Sequence, residues 1–79
     1  MDMAQAEKAW SDRVRRFLKA ELKRAEMTYG ELAERLREHG LEETEASIAN
    51  KLRRGTFAAT FFLAAMKAIG AEHVRLEDV

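Results

Sequence analysis

The chain has no cysteine and no proline among its 79 residues. Lack of cysteine excludes disulfides and thiolate metal sites. A domain this small must then rely on its core alone. The same lack fits a reducing compartment, and the cytoplasm is the expected location. Lack of proline, with 35% charged and 47% hydrophobic residues, is the profile of a helix-rich globular chain rather than a disordered one. No apolar run is long enough for a membrane span. Met1 to Lys8 lack the apolar stretch of a signal peptide. The net charge is zero, which argues against a strongly basic, non-specific nucleic-acid binder. The two histidines, His39 and His73, have no serine, cysteine or paired carboxylate placed to make a nucleophile or an acid–base pair. No His/Asp/Glu set has metal-ligand spacing. The expectation is a protein that is not an enzyme, with no metal, cofactor or small-molecule substrate.

The length corresponds to one domain. Residues 1–9 are expected as a flexible lead-in, and 10–79 as a single helical unit. Such a chain buries roughly 60% of its unfolded surface and has a stability on the order of 4–12 kcal/mol. Its charge is segregated. Trp10 to Arg24 carries a net +4, Thr28 to Thr44 a net −3, and Glu45 to Gly55 a net +2. A neutral total thus conceals a two-sided surface.

Apolar periodicity divides the chain into four helices, with a fifth turn open at the end. The first is predicted from Ser11 to Met27, with Trp10, Val14, Phe17, Leu18 and Leu22 on its buried face and Ser11 as its N-cap. Thr28-Tyr29-Gly30-Glu31 reads as a capping box that opens the second. Its stripe is Tyr29, Leu32, Ala33 and Leu36, and Gly40 closes it in the left-handed conformation with Leu41 folding back. Thr44 caps a third helix, Glu45 to Arg54, which buries Ile48 and Leu52 and ends at Gly55. Thr56 is expected to cap a fourth, Phe57 to Ile69, closed by Gly70. This helix is apolar nearly all round (Phe57, Phe61, Phe62, Leu63, Met66, Ile69), so it is expected at the centre, packed on most sides. Phe62 and Leu63 cannot both point with Phe61, so one of them should meet the first helix or the tail. The tail, with Val74, Leu76 and Val79, reads as a short extended segment or a further helical turn. The three closing glycines do not form a phosphate-cradling loop.

The third helix carries the most functional information. At 100° per residue, Ile48 and Leu52 define its buried direction. Ala46, Asn50 and Arg54 then point away, Ser47 and Arg53 lie at the edges, and Lys51 on one flank. Such a surface suits a major groove: asparagine bonds an adenine edge, arginine a guanine edge or phosphates, and alanine meets a thymine methyl. Small residues at its start let a helix sit deep. The bland reading of the same residues is a solvated helix face.

Three strings carry a resemblance: Thr28-Tyr29-Gly30-Glu31-Leu32-Ala33-Glu34-Arg35-Leu36, Ser47-Ile48-Ala49-Asn50-Lys51-Leu52-Arg53-Arg54-Gly55, and the apolar stretch from Phe57 to Met66-Lys67-Ala68-Ile69-Gly70. Together they resemble the lambda-repressor-like helix-turn-helix domains. In that family a Thr-capped second helix bears Leu-Ala, a third helix reads DNA, and an apolar fourth follows. The resemblance covers Thr28 to about Gly70; the preceding helix matches only in position and apolar face. It implies a compact all-α domain of four or five helices. The whole chain from Trp10 to Ile69 also looks like an uncharacterised bacterial domain family, through Phe17-Leu18-Lys19-Ala20-Glu21-Leu22, Tyr29-Gly30-Glu31-Leu32-Ala33 and Lys51-Leu52-Arg53-Arg54-Gly55-Thr56-Phe57. One departure from the repressor pattern concerns the turn. The family's turn glycine and recognition-helix Ile or Val would fall at Arg37 and Glu43, but this chain has Gly40 and Ile48. Leu41 to Thr44 lengthens the turn and places Glu42 and Glu43 near the start of the third helix, where they suit its dipole but repel phosphate.

The expected function is sequence-specific binding of double-stranded DNA, as in a small bacterial transcriptional regulator. Ala46, Ser47 and Asn50 would approach bases; Thr28, Tyr29, Lys51, Arg53 and Arg54 would bind phosphates. Arg15, Arg16 or Lys19 of the first helix would flank the duplex. The resemblance implies symmetric dimers on DNA, and the apolar tail is the expected contact of a weak homodimer. The alternative is a protein-interaction module on a reused scaffold, since fold does not fix function.

Overall fold

A computed structural model describes residues 2–79. Four α-helices follow in order, α1 (Met3–Arg24), α2 (Tyr29–Glu38), α3 (Glu45–Arg54) and α4 (Ala59–Ile69), with a short 3₁₀ turn at Leu76–Asp78. No strand occurs among the described residues. The domain is therefore all-α, as the periodicity requires. The tail forms that 3₁₀ turn rather than a strand or a full α-helical turn.

α1 begins well before Ser11. Asp2 accepts a hydrogen bond from the Gln5 amide at 2.8 Å and so takes the capping role expected of Ser11. Residues 3–9 form the first turns of the helix instead of a loose lead-in. At its other end the helix stops at Arg24. Glu26 takes a left-handed φ of 55°, and the Met27 amide reaches back to the Leu22 carbonyl at 2.9 Å. This is the geometry of a Schellman closure with glutamate where glycine is usual, which is why periodicity alone carries the helix too far.

α2 and α3 open as expected. Thr28 and Glu31 form a reciprocal capping box, and Thr44 and Ser47 form another. Leu41 N–H bonds the Leu36 carbonyl at 3.0 Å behind Gly40. α4 starts at Ala59, later than expected, and Thr56 does not cap it. Phe57 precedes the cap and stacks on Phe62, ring centroids 6.5 Å apart. That contact is a hydrophobic staple, which sets where the chain enters the helix.

The core contains Phe17, Leu18 and Leu22 of α1, Leu32, Ala33 and Leu36 of α2, and Ile48 and Leu52 of α3. Phe61, Ala65, Met66 and Ala68 of α4 complete it. α2 packs against α3 and α4, and α1 against α3. Phe62 meets Phe17 of α1, centroids 6.2 Å apart, as the geometry of α4 demanded of either Phe62 or Leu63. Leu63 is 60% exposed, so α4 has a free face and is not enclosed on all sides. Trp10, expected in the core, is 55% exposed. It lies on the part of α1 where no residue is buried, and Arg13 rests on its ring at 4.1 Å. Val14, Phe57 and Ile69, also expected in the core, are half-buried. Val74 and Val79 of the tail pack against the core, and Arg13 donates to the Val79 main-chain oxygen at 2.8 Å. Leu76 is left exposed.

Candidate nucleic-acid interface

The candidate site is built on α3. Ile48 and Leu52 are fully buried and fix how the helix is rotated. Ala46, Asn50, Arg53 and Arg54 are exposed, so the structure gathers these residues on one outward face. Arg53 donates to Asn50 Oδ1 at 2.9 Å. The asparagine must exchange that bond if its amide is to pair with a base edge.

Three further expected contact residues, Ser47, Lys51 and Thr28, have internal partners. Glu43, expected with Glu42 to repel phosphate near the start of the helix, is only 8% exposed. Its carboxylate receives Ser47 Oγ at 2.6 Å and Lys51 Nζ at 2.5 Å. Lys51 Nζ also lies 5.0 Å from the Phe61 ring centre, a distance at which a cation is attracted to the ring face. Burial acts to raise the Glu43 pKa, but the hydrogen bonds from Lys51 and Ser47 and the Lys51 charge outweigh it. The carboxyl is held below its ordinary value. Lys51 and Ser47 are thus structural ties between the α2–α3 turn, α3 and α4. Thr28 is similarly engaged: its Oγ1 accepts from the Glu31 amide at 3.1 Å and donates to the Glu31 carboxylate at 3.0 Å. Tyr29 is half-buried.

The starts of α2 and α3 converge. A side chain grown on Gly30 would reach Glu45 Oε2 at 3.5 Å. A carboxylate therefore lies beside the N-terminus of α2, a position that would otherwise favour a phosphate. The far end of α3 is anchored to α1. Arg15 donates to the Arg53 carbonyl at 3.0 Å and pairs with Asp12. Gly55, at φ 71°, presses against Ser11: a Cβ there would meet the Ser11 carbonyl oxygen at 2.9 Å. Lys8, Arg15, Arg53 and Arg54, together with Glu7 and Asp12, line a cleft of about 410 Å³ between α1 and this end of α3, and Asp12 pairs with both Lys8 and Arg15. Arg16 and Lys19 are exposed on α1.

Sequence reasoning missed the Glu43 cluster, although its signal is present. Glu43, Ser47 and Lys51 are spaced four apart, so a turn residue can share a flank with two helical ones. The Gly55–Ser11 contact has no local signal, because it joins segments distant in sequence.

The architecture is a four-helix all-α domain that offers one short helix, acidic at its start and basic at its end, on its surface. The chain belongs to the family described as domain of unknown function DUF6471, whose model matches residues 10–74. No match was found among curated proteins or among solved structures. Among the described residues no group of His, Cys, Asp or Glu is placed to hold a metal ion, and no helix is long and apolar enough to cross a membrane.

Proposed function

We propose that the domain binds double-stranded DNA by placing α3 in the major groove. The observation that carries this reading is the outer face of α3. Ala46, Asn50, Arg53 and Arg54 are exposed on a helix whose opposite side is fully buried and whose two ends are tied down. A rigid helix with small residues at its start and cations at its end meets the needs of groove entry. α2 and α3 form a capped pair, as in the helix-turn-helix domains that the chain resembles. In this reading Ala46 and Asn50 approach bases. Arg53 and Arg54 bind phosphates, while Arg15 anchors the end of α3. Ser47 and Lys51 serve α3 from within by holding its position, and Thr28 caps α2. Such a domain would act as a small transcriptional regulator.

Selection from a random duplex pool, followed by a salt titration on the winner, tests the proposal. Each phosphate contact steepens the log–log salt slope by about one. Asn50→Ala is expected to cost about 1–3 kcal/mol on the preferred site and to relax its sequence. No enriched sequence and no binding at low salt would remove the DNA reading.

A second reading is favoured by Glu42 and Glu45, both exposed near the start of α3. They repel phosphates and would suit a basic protein partner. In that case Glu45→Gln weakens the partner's binding. Under the DNA reading the same substitution strengthens duplex binding.

A further inference from the structure

The tail is lightly held. Residues 75–78 are exposed and Val79 is half-buried. The segment folds mainly on itself. The Asp78 and Val79 amides bond the Arg75 and Leu76 carbonyls at 2.9 and 3.1 Å, and Arg75 pairs with Glu77. Its hold on the domain is at Val79, which packs against the core. The Val79 main-chain oxygen accepts from Arg13 Nε at 3.2 Å and Nη2 at 2.8 Å. An exposed short segment fixed at one residue opens at low cost. Residues 75–79 also follow the stretch matched by the family model.

The tail lies along a cleft of about 350 Å³ on α1, floored by Phe17 and Ala20 and walled by Arg13, Arg16 and Arg24. Asp78 and Val79 form its remaining wall. With Val79 in place Phe17 is 7% exposed, so a new occupant reaches the floor only by taking the place of Val79.

Charge in the cleft is unbalanced, since its lining holds three guanidiniums and one carboxylate. Arg13 lies on the Trp10 ring, Arg16 bonds the Asp12 carbonyl, and Arg24 pairs with Glu21 of its own helix. Among the described residues no ion pair joins a tail carboxylate to these arginines. The tail thus uses the apolar floor and leaves the cations unmatched. An occupant with an aliphatic side chain between two or more carboxylates would satisfy both, because charge-assisted bonds to arginine add to the apolar contact. A duplex would match the cations but presents phosphates at its surface, with nothing aliphatic beside them to cover the floor.

We infer that the α1 cleft is a docking site for an acidic segment of another protein, one with an aliphatic residue beside its carboxylates, and that the tail holds this site closed in the free chain. The partner's aliphatic side chain replaces Val79 on Phe17 and Ala20, and its carboxylates pair with Arg13, Arg16 and Arg24. The tail is then an autoinhibitory strap that imitates the partner incompletely. The site does not use the outer face of α3, and it stands apart from the DNA reading.

The probe is a fluorescein-labelled peptide carrying the Leu76–Val79 sequence between added aspartates, titrated onto the full chain. The unaltered chain is expected to bind it weakly. Val79→Ser, which removes the tail's hold on the floor, is expected to bind it at least about fivefold more tightly, because apparent affinity falls with the fraction of sites held closed. A peptide with amides in place of its carboxylates, or with serine in place of its leucine and valine, should lose at least about tenfold. Arg16→Glu, at an exposed position, should remain folded by circular dichroism and lose a similar factor for the acidic peptide. In amide spectra of the unaltered chain the peptide should shift Arg13, Ala20 and Val79 together, a readout that needs no variant. No binding to either chain at about 1 mM peptide overturns the inference. So does equal binding of the amide peptide, or equal affinity of the unaltered and Val79→Ser chains. A duplex of arbitrary sequence that displaces the peptide, and that Arg16→Glu weakens, would overturn it in favour of nucleic acid in this cleft.

Discussion

The two sides of α3 differ in what occupies them. On the inner side Ile48 and Leu52 are fully buried, Lys51 is bound to Glu43, and Gly55 abuts the backbone of Ser11. On the outer side the internal bond from Arg53 to Asn50 joins two exposed side chains, a type of contact that contributes little to stability. The same ten residues thus serve two purposes that separate by direction. Substitutions on the inner side should be read in stability, and those on the outer side in binding. Any result that mixes the two breaks the comparison.

Gly55→Ala should have the largest effect. The left-handed conformation alone costs alanine about 1–2 kcal/mol. The added Cβ would also lie 2.9 Å from the Ser11 carbonyl oxygen, and backbone does not yield as a flexible side chain does. A total loss of about 2–4 kcal/mol is expected, measured by urea denaturation. Gly70→Ala is the control, because it has a φ of 93° and nothing within 4 Å of its Cβ position. It should lose only the conformational part. Equal losses at the two positions would mean that α3 is not anchored on α1.

Glu43→Gln should come next. It keeps the shape and removes the charge that Lys51 and Ser47 bind, at a cost of about 1–3 kcal/mol. Its pH dependence identifies the cause. The folded-state pKa of Glu43 is depressed. Its contribution to stability is therefore fully present above the unfolded pKa, about 4.3, and is lost as pH falls through the lower folded value. Denaturation midpoints of the parent chain should fall below about pH 4, and the Glu43→Gln chain should lose less over that range. Parallel pH profiles for the two would show that the pair contributes nothing.

Thr44→Ala removes one half of the α3 capping box and should cost about 1 kcal/mol, within a range of about 0.5–2. The effect should be smaller than at Glu43 because Ser47 retains its bond to the carboxylate.

How much of this was legible follows from how local each feature is. The boxes at Thr28 and Thr44 and the closure at Gly40 rest on neighbours a few residues apart, and they were readable. The end of α1 was hidden because Glu26 occupies a glycine conformation. The start of α4 was displaced by Phe57 stacking on Phe62, whereas Thr56 suggested an earlier cap. Trp10 looked like core because periodicity cannot tell whether another element reaches that turn. The outer face of α3 followed from Ile48 and Leu52 alone. Which of its polar neighbours were already engaged did not follow, since Glu43 reaches Lys51 only once the turn has folded. Charge counted along the chain therefore overstated both the acidity at the start of α3 and the cations on its flank.

Arg54→Ala should change stability least. The side chain is exposed and has no hydrogen-bond or ion-pair partner among the described residues, so the expected shift lies within about 0.5 kcal/mol. Under the DNA reading the same substitution weakens binding to every duplex to a similar degree and lowers the salt slope by about one. Asn50→Ala should be equally mild in stability but should discriminate among duplexes. The pair of variants therefore separates a phosphate contact from a base contact on one helix face. If Arg54→Ala instead unfolds the domain, the outer side has a structural role. If both variants weaken all duplexes alike with unchanged salt slopes, α3 lies outside the groove.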